Sequence, residues 1–328
     1  VEQMNLFKDM VCYQEEVRDA SRMAEVLNRV ILKAKRGSAP AQINVPRDFW
    51  TQIVDIELPS IIEFERPAGG SAAISEAANL LSNAKFPVIL SGAGVVLADA
   101  IEDCKKIAEK LDAPVACGYQ HNDSFPGKHP LAVGPLGYNG SKAAMEIISK
   151  ADVVLALGTR LNPFSTLPGY GIDYWPKEAK IIQVDINSDR IGLAKKISVG
   201  ICGDAKLVAE QILSKLSSTA GDDGREDRKA LIHQTKSAWL QTLTSLDHEE
   251  DDEGTSWNKD SRERDPDRMS PRMAWRAIQA GLPDDAIISS DIGNNCAIGN
   301  AYPTFEQGRK YLAPGLFGPC GYGFPSVL

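Results

Sequence analysis

The sequence lacks the long apolar runs and the dense basic clusters that membrane and nucleic-acid-binding proteins require. No stretch approaches the roughly 20 apolar residues that cross a bilayer, and apolar runs such as Val153–Leu157 have the length of a strand. Acidic residues outnumber basic ones by 44 to 36, giving a net charge of -8, whereas binding to phosphates needs a basic stripe. The sequence therefore predicts no membrane and no nucleic-acid partner, and its 328 residues with 43% hydrophobic content favour a folded α/β protein.

The cysteines and histidines also lack the spacing of a disulfide framework or a metal site. The 6 cysteines are scattered without a C-x-x-C pair, which favours reduced, mostly buried thiols in a cytoplasmic protein. His129, His233 and His248 have no companion at metal-ligand spacing. His121 differs because it lies in a polar loop directly after a predicted strand, where site residues are common, so it is a candidate.

The pattern of helices and strands divides the chain into three parts. A predicted helix over Glu15–Arg36 and a strand over Pro40–Pro46 are typical of the end of an α/β domain. Residues 71–216 alternate helices with short apolar runs, which predicts a complete doubly wound domain with a parallel sheet. Near residue 269 another α/β domain begins, with a helix over Arg272–Ala280 and a strand over Ala286–Ser290.

Two linkers separate these three parts. We expect truncated flanking domains at 1–57 and 269–328, because the pattern opens and stops in mid-domain, and linkers at 58–70 and 217–268. The second linker carries the acidic run Glu249–Glu253, although Lys229–Leu246 has the pattern of one amphipathic helix. For 71–216 the predicted helices are Ala72–Asn83, Ala98–Leu111, Lys142–Ser149 and Ala205–Leu216, and the strands are Pro87–Leu90, Val115–Cys117, Val153–Leu157, Ile181–Val184 and Ser198–Ile201.

Glycine-rich turns follow strands in both the middle and the last part. In the middle part, Ser91–Val95 has the context of a phosphate-binding turn, but any doubly wound sheet also needs tight turns there. Asp185 also has a functional and a structural interpretation, because it could hold a ribose hydroxyl or cap a helical turn at Asp189–Leu193. In the last part, Ser290–Asn295 follows a strand and Gly315–Pro325 is dense in glycine, so the first suits a diphosphate and the second a planar ring. Turn chemistry alone would also explain both.

At these residues the sequence resembles the thiamine diphosphate enzymes of the acetohydroxyacid synthase and pyruvate oxidase type. Phe86–Gly94, Ala151–Arg160 and Ile181–Ile186 are similar to the central Rossmann-like domain of that family. The last part is similar to the start of its diphosphate-binding domain, and the first part to the end of its pyrimidine-binding domain. A resemblance to the sulfoacetaldehyde-cleaving branch rests on Asp9–Val17, Asn44–Trp50, Gly134–Lys142, Asn162–Gly171 and Asp291–Asn295.

The resemblance implies a set of cofactor contacts in the last part. Those residues are Gly293, Asn294 and Asn295 near the diphosphate of thiamine diphosphate, Gly318 at the aminopyrimidine, and Cys320 and Gly321 in the same turn. Cys320 stands where the family carries a bulkier hydrophobe that wedges the cofactor into a bent shape. The activating glutamate would precede Val1 and the Mg²⁺ motif would follow Leu328, so we assign no catalytic or metal residue and expect no turnover from this chain alone.

The implied reaction converts sulfoacetaldehyde and phosphate into acetyl phosphate and sulfite, in the breakdown of taurine and other sulfonates. His121, Asn139 and Arg160 are candidate substrate residues because they lie on loops at strand ends. The family's cofactor lies between two subunits, which implies a homodimer or homotetramer. The alternatives are a carboligase or decarboxylase similar to acetohydroxyacid synthase, with flavin or ADP in the central cleft, and a nucleotide-binding regulatory module.

Overall fold

The computed structural model describes residues 2–60, 64–219, 224–248, 271–315 and 318–328. The chain divides into two compact units, Val1–Glu65 and Arg66–Leu328. The acidic run Glu249–Glu253 of the predicted linker lies outside the described residues. Within the described ranges, no helix is both long enough and apolar enough to span a membrane.

The described part of the first unit contains a small parallel sheet and two α-helices. Its elements are α1 (Gln3–Phe7), β1 (Tyr13–Glu16), α2 (Met23–Gly37) and β2 (Ala41–Asn44). β1 pairs with β2 in parallel, and Val17, Val26 and Val30 form the buried core. The predicted helix start at Glu15 was wrong, because the chain turns at Asp19, whose side chain accepts a hydrogen bond from Ser21 N before α2 begins.

The described part of the second unit contains a six-stranded sheet with helices around it. The strands are β3 (Pro87–Ser91), β4 (Val115–Cys117), β5 (Ala132–Pro135), β6 (Val153–Leu157), β7 (Lys180–Asp185) and β8 (Val199–Cys202). The helices are α3 (Ser71–Ser82), α4 (Ala93–Leu97), α5 (Ile101–Leu111), α6 (Lys142–Ile148), α7 (Ala205–Lys215) and α8 (Arg225–His248).

The six strands run parallel in the order β5, β4, β3, β6, β7, β8. At the centre β3 pairs with β6, from Pro87 opposite Val153 to Ser91 opposite Leu157. Both strands are buried along their whole length, as expected of a sheet covered on both faces. Helices α3 and α5 pack on α7, whereas α6 packs on α8. These features confirm the predicted α/β class with a doubly wound parallel sheet.

Two local predictions for this sheet were incomplete. Strand β5 was not predicted, because Gly134, with φ 95°, and Pro135 interrupt its apolar pattern. The helix predicted over Ala98–Leu111 was too long, because Asp99 has φ 54° and separates α4 from α5. The apolar periodicity continues through this break, so periodicity alone does not reveal it.

Helix α8 lies within the segment predicted as a charged linker, and it extends the helix that the pattern allowed at Lys229–Leu246. Its Arg228 is only 1% exposed. The guanidinium donates hydrogen bonds to the carbonyl oxygens of Lys85 (2.8 Å), Leu111 (2.8 Å) and Asp112 (3.1 Å). Ile232 joins the core of the sheet. One face of this charged segment therefore packs against the central domain.

The last described elements belong to the same compact unit. They are α9 (Pro271–Gly281), β9 (Ile288–Ser289), α10 (Asn294–Ala301) and β10 (Tyr311–Leu312), and β9 pairs with β10 in parallel. Helix α9 confirms the helix predicted over Arg272–Ala280. The strand predicted over Ala286–Ser290 is present but shorter.

Candidate functional site

The loops after β3 and β6 meet at the centre of the sheet's carboxyl edge. Gly92 N donates to Leu157 O (3.1 Å), and Gly94 N donates to Gly158 O (2.8 Å). A Cβ on Gly94 would lie 2.6 Å from Gly158 Cα, and a Cβ on Gly158 would lie 2.7 Å from Gly94 Cα. The glycines of the Ser91–Val95 turn thus allow two backbones to pack closely, and both N–H groups already have protein acceptors. This geometry favours the structural interpretation of the turn over phosphate binding.

His121 and Arg160 lie near each other on this edge, after β4 and β6. Burial, together with the positive charge of Arg160, lowers the pKa of His121 to about 4. Burial and the neighbouring Arg190 lower the pKa of Arg160, whereas the carboxylate of Asp185 acts in the opposite direction. Two of the three predicted substrate residues, His121 and Arg160, are therefore brought together, and the positive charges of Arg160 and Arg190 there suit an anion.

The remaining residues of this edge have local roles. The carboxylate of Asp185 accepts a hydrogen bond from Asn187 N (2.9 Å). The interpretation of Asp185 as the cap of the next helical turn was wrong, because Asn187 caps the turn Ser188–Arg190 and its side chain accepts from Asp189 N. Asn139 is exposed with φ 53°, in the turn between β5 and α6. Its neighbours make contacts in that turn, since Tyr138 N donates to Phe164 O (2.9 Å) and Gly140 O accepts from Tyr170 OH (3.0 Å).

The N-terminus of α10 contains the three residues predicted to face the diphosphate. Gly293 precedes the helix with φ 117° and ψ -158°, a conformation that only glycine adopts readily. Asn294 and Asn295 form the first turn, and all three residues are exposed. The first N–H groups of a helix have no partner within it and carry partial positive charge, so this end suits an anion.

Asp291 brings the two predicted motifs of the last part together. Its carboxylate accepts hydrogen bonds from Gly321 N (3.0 Å to each oxygen), Gly323 N (3.2 Å) and Ile292 N (2.7 Å). These backbone donors hold the pKa of Asp291 below its usual range. Asp291 therefore fixes the glycine-rich turn beside the start of α10, a role that the sequence reasoning missed although it had identified the surrounding motif.

The other predicted cofactor residues lie in the same glycine-rich turn. Gly318 has φ 59°, and a Cβ placed there would be 3.9 Å from the Ile292 side chain. Cys320 is an exposed free thiol. Cys12 and Cys202 are exposed as well, whereas the other three cysteines are buried, so the prediction of mostly buried thiols was wrong for half of them.

A polar loop after β4 connects the central sheet to α10. Gln120 N donates to Asn300 Oδ1 (2.7 Å), and Asn122 Nδ2 donates to Asn300 O (2.7 Å). The carboxylate of Asp123 accepts from Lys310 N (3.0 Å) and from Tyr311 N. Of the residues in this loop, only His121 was predicted as a site residue. The available signal was the whole polar run from 119 to 124 directly after a buried strand.

The residues at the start of α10 fit a diphosphate through their backbone groups, but they supply no metal centre. Gly293 is exposed, and an added Cβ there would lie 3.0 Å from Asn295 Oδ1, so a side chain at this position would crowd the first turn of α10. The carboxylate of Asp291 is already engaged by backbone donors. Within the part of the chain that the structure describes, no three His, Cys, Asp or Glu residues gather into a metal site.

Comparison with known proteins gives consistent similarities along the chain. Residues 74–212 match the family described as "Thiamine pyrophosphate enzyme, central domain". The chain is 76% identical over 328 residues to the "Probable sulfoacetaldehyde acetyltransferase" of Rhizobium meliloti (strain 1021), covering 100% of this chain and 56% of that protein. It is also 76% identical over 328 residues to the "Sulfoacetaldehyde acetyltransferase" of Roseovarius nubinhibens, covering 100% of this chain and 54% of that protein.

A more distant relative comes from the other branch that the sequence had suggested. The "Probable acetolactate synthase large subunit" of Methanococcus aeolicus is 27% identical over 344 residues, with 100% of this chain and 55% of that protein covered. The chain thus spans about half the length of the curated relatives it matches.

Proposed function

We propose that this protein converts sulfoacetaldehyde and phosphate into acetyl phosphate and sulfite, because residues 74–212 match the central domain of thiamine pyrophosphate enzymes and the whole chain is similar to sulfoacetaldehyde acetyltransferases. The observation that carries this proposal is the 76% identity along all 328 residues to proteins named for sulfoacetaldehyde acetyltransferase activity. The identity to the acetolactate synthase relative is much lower, at 27%. A carboligase is therefore the less favoured function.

In this proposal the last part of the chain binds the diphosphate of thiamine diphosphate. Gly293, Asn294 and Asn295 donate N–H groups from the positive end of α10. Asp291 holds the turn that contains Gly321, so that the backbone of Gly318 is fixed for the aminopyrimidine. Cys320 would contact the cofactor with a smaller side chain than the usual wedge. When bound, thiamine diphosphate supplies the electron sink that carbon–sulfur cleavage requires.

The central domain contributes candidate groups for the two anionic substrates. The positive charges of Arg160 and Arg190 support a site for a sulfonate or a phosphate, beside the neutral imidazole of His121. Asn139 remains a candidate substrate residue because it is exposed, in the turn between β5 and α6. We propose His121, Asn139 and Arg160 as substrate-binding residues, without assigning either anion to a particular one.

Several properties of the whole protein belong to the same proposal. They are Mg²⁺ as the metal that accompanies the cofactor, a homodimer or homotetramer, a cytoplasmic location and a role in taurine and sulfonate degradation. The division into pieces at 1–57, 71–216 and 269–328, with linkers between them, is also proposed. Family resemblance supports all of these, and no metal ligand is assigned to this chain.

The reaction is tested with the purified full-length protein, thiamine diphosphate and Mg²⁺. We expect sulfite release from sulfoacetaldehyde that depends on inorganic phosphate and is accompanied by an equal amount of acetyl phosphate. Consumption of pyruvate without sulfite release would assign the protein to the carboligases instead. A yellow protein with a bound flavin would also contradict the proposal.

The diphosphate site is tested by adding a negative charge at one helix N-terminus and comparing it with another. Asn295→Asp places a carboxylate in the first turn of α10, where it would repel the cofactor's diphosphate. Ser71→Asp adds the same charge at the exposed start of α3, away from the proposed site. We expect Asn295→Asp to raise the dissociation constant of thiamine diphosphate about tenfold, because like charges in close contact are strongly unfavourable. Equal constants for the two variants would exclude this site.

A further inference from the structure

The polar loop after β4 contacts both elements that the proposed function assigns to the cofactor. We propose that Asn300 and Gln120 are positioning residues for thiamine diphosphate, holding the first turn of α10 and the glycine-rich turn in register with the central sheet. This inference rests on the proposed function, because it assumes that Gly293–Asn295 receive the diphosphate. Neither residue itself contacts the cofactor in this arrangement.

Asn300 connects α10 to two loops of the central sheet. Its side chain is fully buried. Oδ1 accepts from Gln120 N (2.7 Å), in the loop after β4, and Nδ2 donates to Tyr138 O (3.0 Å), in the loop after β5. Its backbone oxygen accepts from Asn122 Nδ2 (2.7 Å). Both ends of the amide are therefore used, and they fix the position of the helix that presents Gly293 at its other end.

Gln120 contacts the other end of the same helix. Its side chain is 4% exposed, and Nε2 donates to the Sγ of Cys296 (2.6 Å), the residue that follows Asn295. The Gln120 Oε1 atom is packed against Gly315, where any Cβ would overlap it. Gly315 begins the glycine-rich segment that carries Gly318 and Gly321, so one side chain contacts both proposed cofactor elements.

The backbone of Gln120 supports this interpretation. Its φ of 62° is uncommon for a residue with a Cβ and costs about 1 kcal/mol or more. The hydrogen bond from its N–H to Asn300 compensates for part of that cost. Asp123 fixes the same loop to Lys310 and Tyr311, just before Gly315. The loop thus holds both ends of the segment that joins α10 to the glycine-rich turn. Gln120 contacts Asn300 at the start of this segment, and Asp123 contacts Lys310 and Tyr311 near its end.

The test uses the full-length protein with Mg²⁺ and measures thiamine diphosphate binding by quenching of tryptophan fluorescence. Asn300→Asp keeps the shape of the side chain but removes the donor to Tyr138 O. We expect the dissociation constant of the cofactor to rise about tenfold, the effect of losing roughly one buried hydrogen bond. Because the reacting groups are unchanged, kcat at saturating cofactor should stay within about twofold of the wild type. Asn79→Asp, the same change at an exposed position on α3, should bind like the wild type.

Gln120→Met is the second variant, because it removes the amide while nearly preserving volume and so avoids a buried charge. Like Asn300→Asp, it should raise the dissociation constant of thiamine diphosphate. If Asn300→Asp does not fold, this second variant tests the inference on its own. A purely structural role would lower the urea midpoint but leave the dissociation constant of the folded protein unchanged, and that result would overturn the inference. If the wild type itself fails to bind thiamine diphosphate, the proposed function fails first.

Discussion

Two turns of this chain carry glycine after a strand, yet their surroundings are opposite. At Gly92, which precedes α4, and at Gly94 in its first turn, the backbone packs against Gly158 of the neighbouring loop, and both N–H groups donate to that loop or its strand. At Gly293, before α10, the turn is exposed, and the nearest atom to an added Cβ is the movable Asn295 side chain. The first turn is closed by the fold, whereas the second is open to a ligand.

The difference shows why glycine after a strand does not identify a phosphate site by itself. Glycine is required wherever two backbones come close, and also wherever a ligand approaches a backbone. What lies opposite the glycine decides between these functions. In the first turn the opposite group is the loop after β6, which is adjacent because β3 and β6 pair at the centre of the sheet. In the second turn it is the exposed side chain of Asn295, beside the glycine-rich turn that Asp291 holds.

The largest effect is expected for Gly158→Ala, which breaks the closed turn. Gly158 has φ 61°, and an added Cβ would lie 2.7 Å from both Gly94 Cα and Val95 N. Backbone strain and overpacking together should lower the free energy of unfolding by about 3 kcal/mol. Urea denaturation of the full-length protein measures this change.

Gly171→Ala is the matched control for that prediction. Gly171 has a similar φ of 72°, but no atom lies within 4 Å of an added Cβ. Its cost should be limited to the left-handed conformation, about 1 kcal/mol. If the two variants were equally destabilised, the closeness of the two loops would contribute nothing, and the contrast between closed and open turns would lose its basis.

A smaller effect on stability is expected for Gly293→Ala in the open turn. Its φ of 117° and ψ of -158° are unfavourable for alanine, at a cost of about 2 kcal/mol, and only the Asn295 side chain needs to move. The dissociation constant of thiamine diphosphate should rise as well, whereas Gly158→Ala should affect cofactor binding only through stability. Gly70→Ala, at the start of α3 with φ -82° and no atom within 4 Å of an added Cβ, should change neither. Unchanged cofactor binding in Gly293→Ala would argue against an open, ligand-facing turn.

The sequence was most informative where burial is uniform. Parallel strands covered on both faces consist of continuous apolar runs, so β3, β4 and β6 were predicted within a residue of their observed bounds. β1 was missed because its sequence, Tyr-Gln-Glu-Glu, has no apolar alternation. The buried guanidinium of Arg228 was equally invisible, since its acceptors are carbonyl oxygens that belong to distant segments.

The candidate site was predictable only in its exposed parts. Family resemblance selected Gly293 and Gly321, and the structure brings these two turns together through the carboxylate of Asp291. Gln120 and Asn300 could not be selected in the same way. A buried polar residue is stabilised by partners far away in sequence, here 180 positions apart, and neither periodicity nor composition identifies those partners.

The smallest effect concerns pH and His121, which lies beside Arg160 at the carboxyl edge of the sheet. The pKa of His121 is about 4 in the folded protein, below its ordinary 6.5. Between these values the unfolded chain takes up a proton that the folded chain does not, so stability falls as the pH decreases through this window. From about pH 7 to about pH 5 we expect this residue to lower the free energy of unfolding by about 1 kcal/mol, after allowance for solvent screening.

Urea denaturation at the two pH values tests this prediction. His121→Gln should remove the loss of stability between them, whereas His233→Gln, at an exposed position on α8, should retain it. An unchanged pH dependence in His121→Gln would mean that the imidazole is not buried beside Arg160, and that this edge of the sheet is as open as the turn at Gly293.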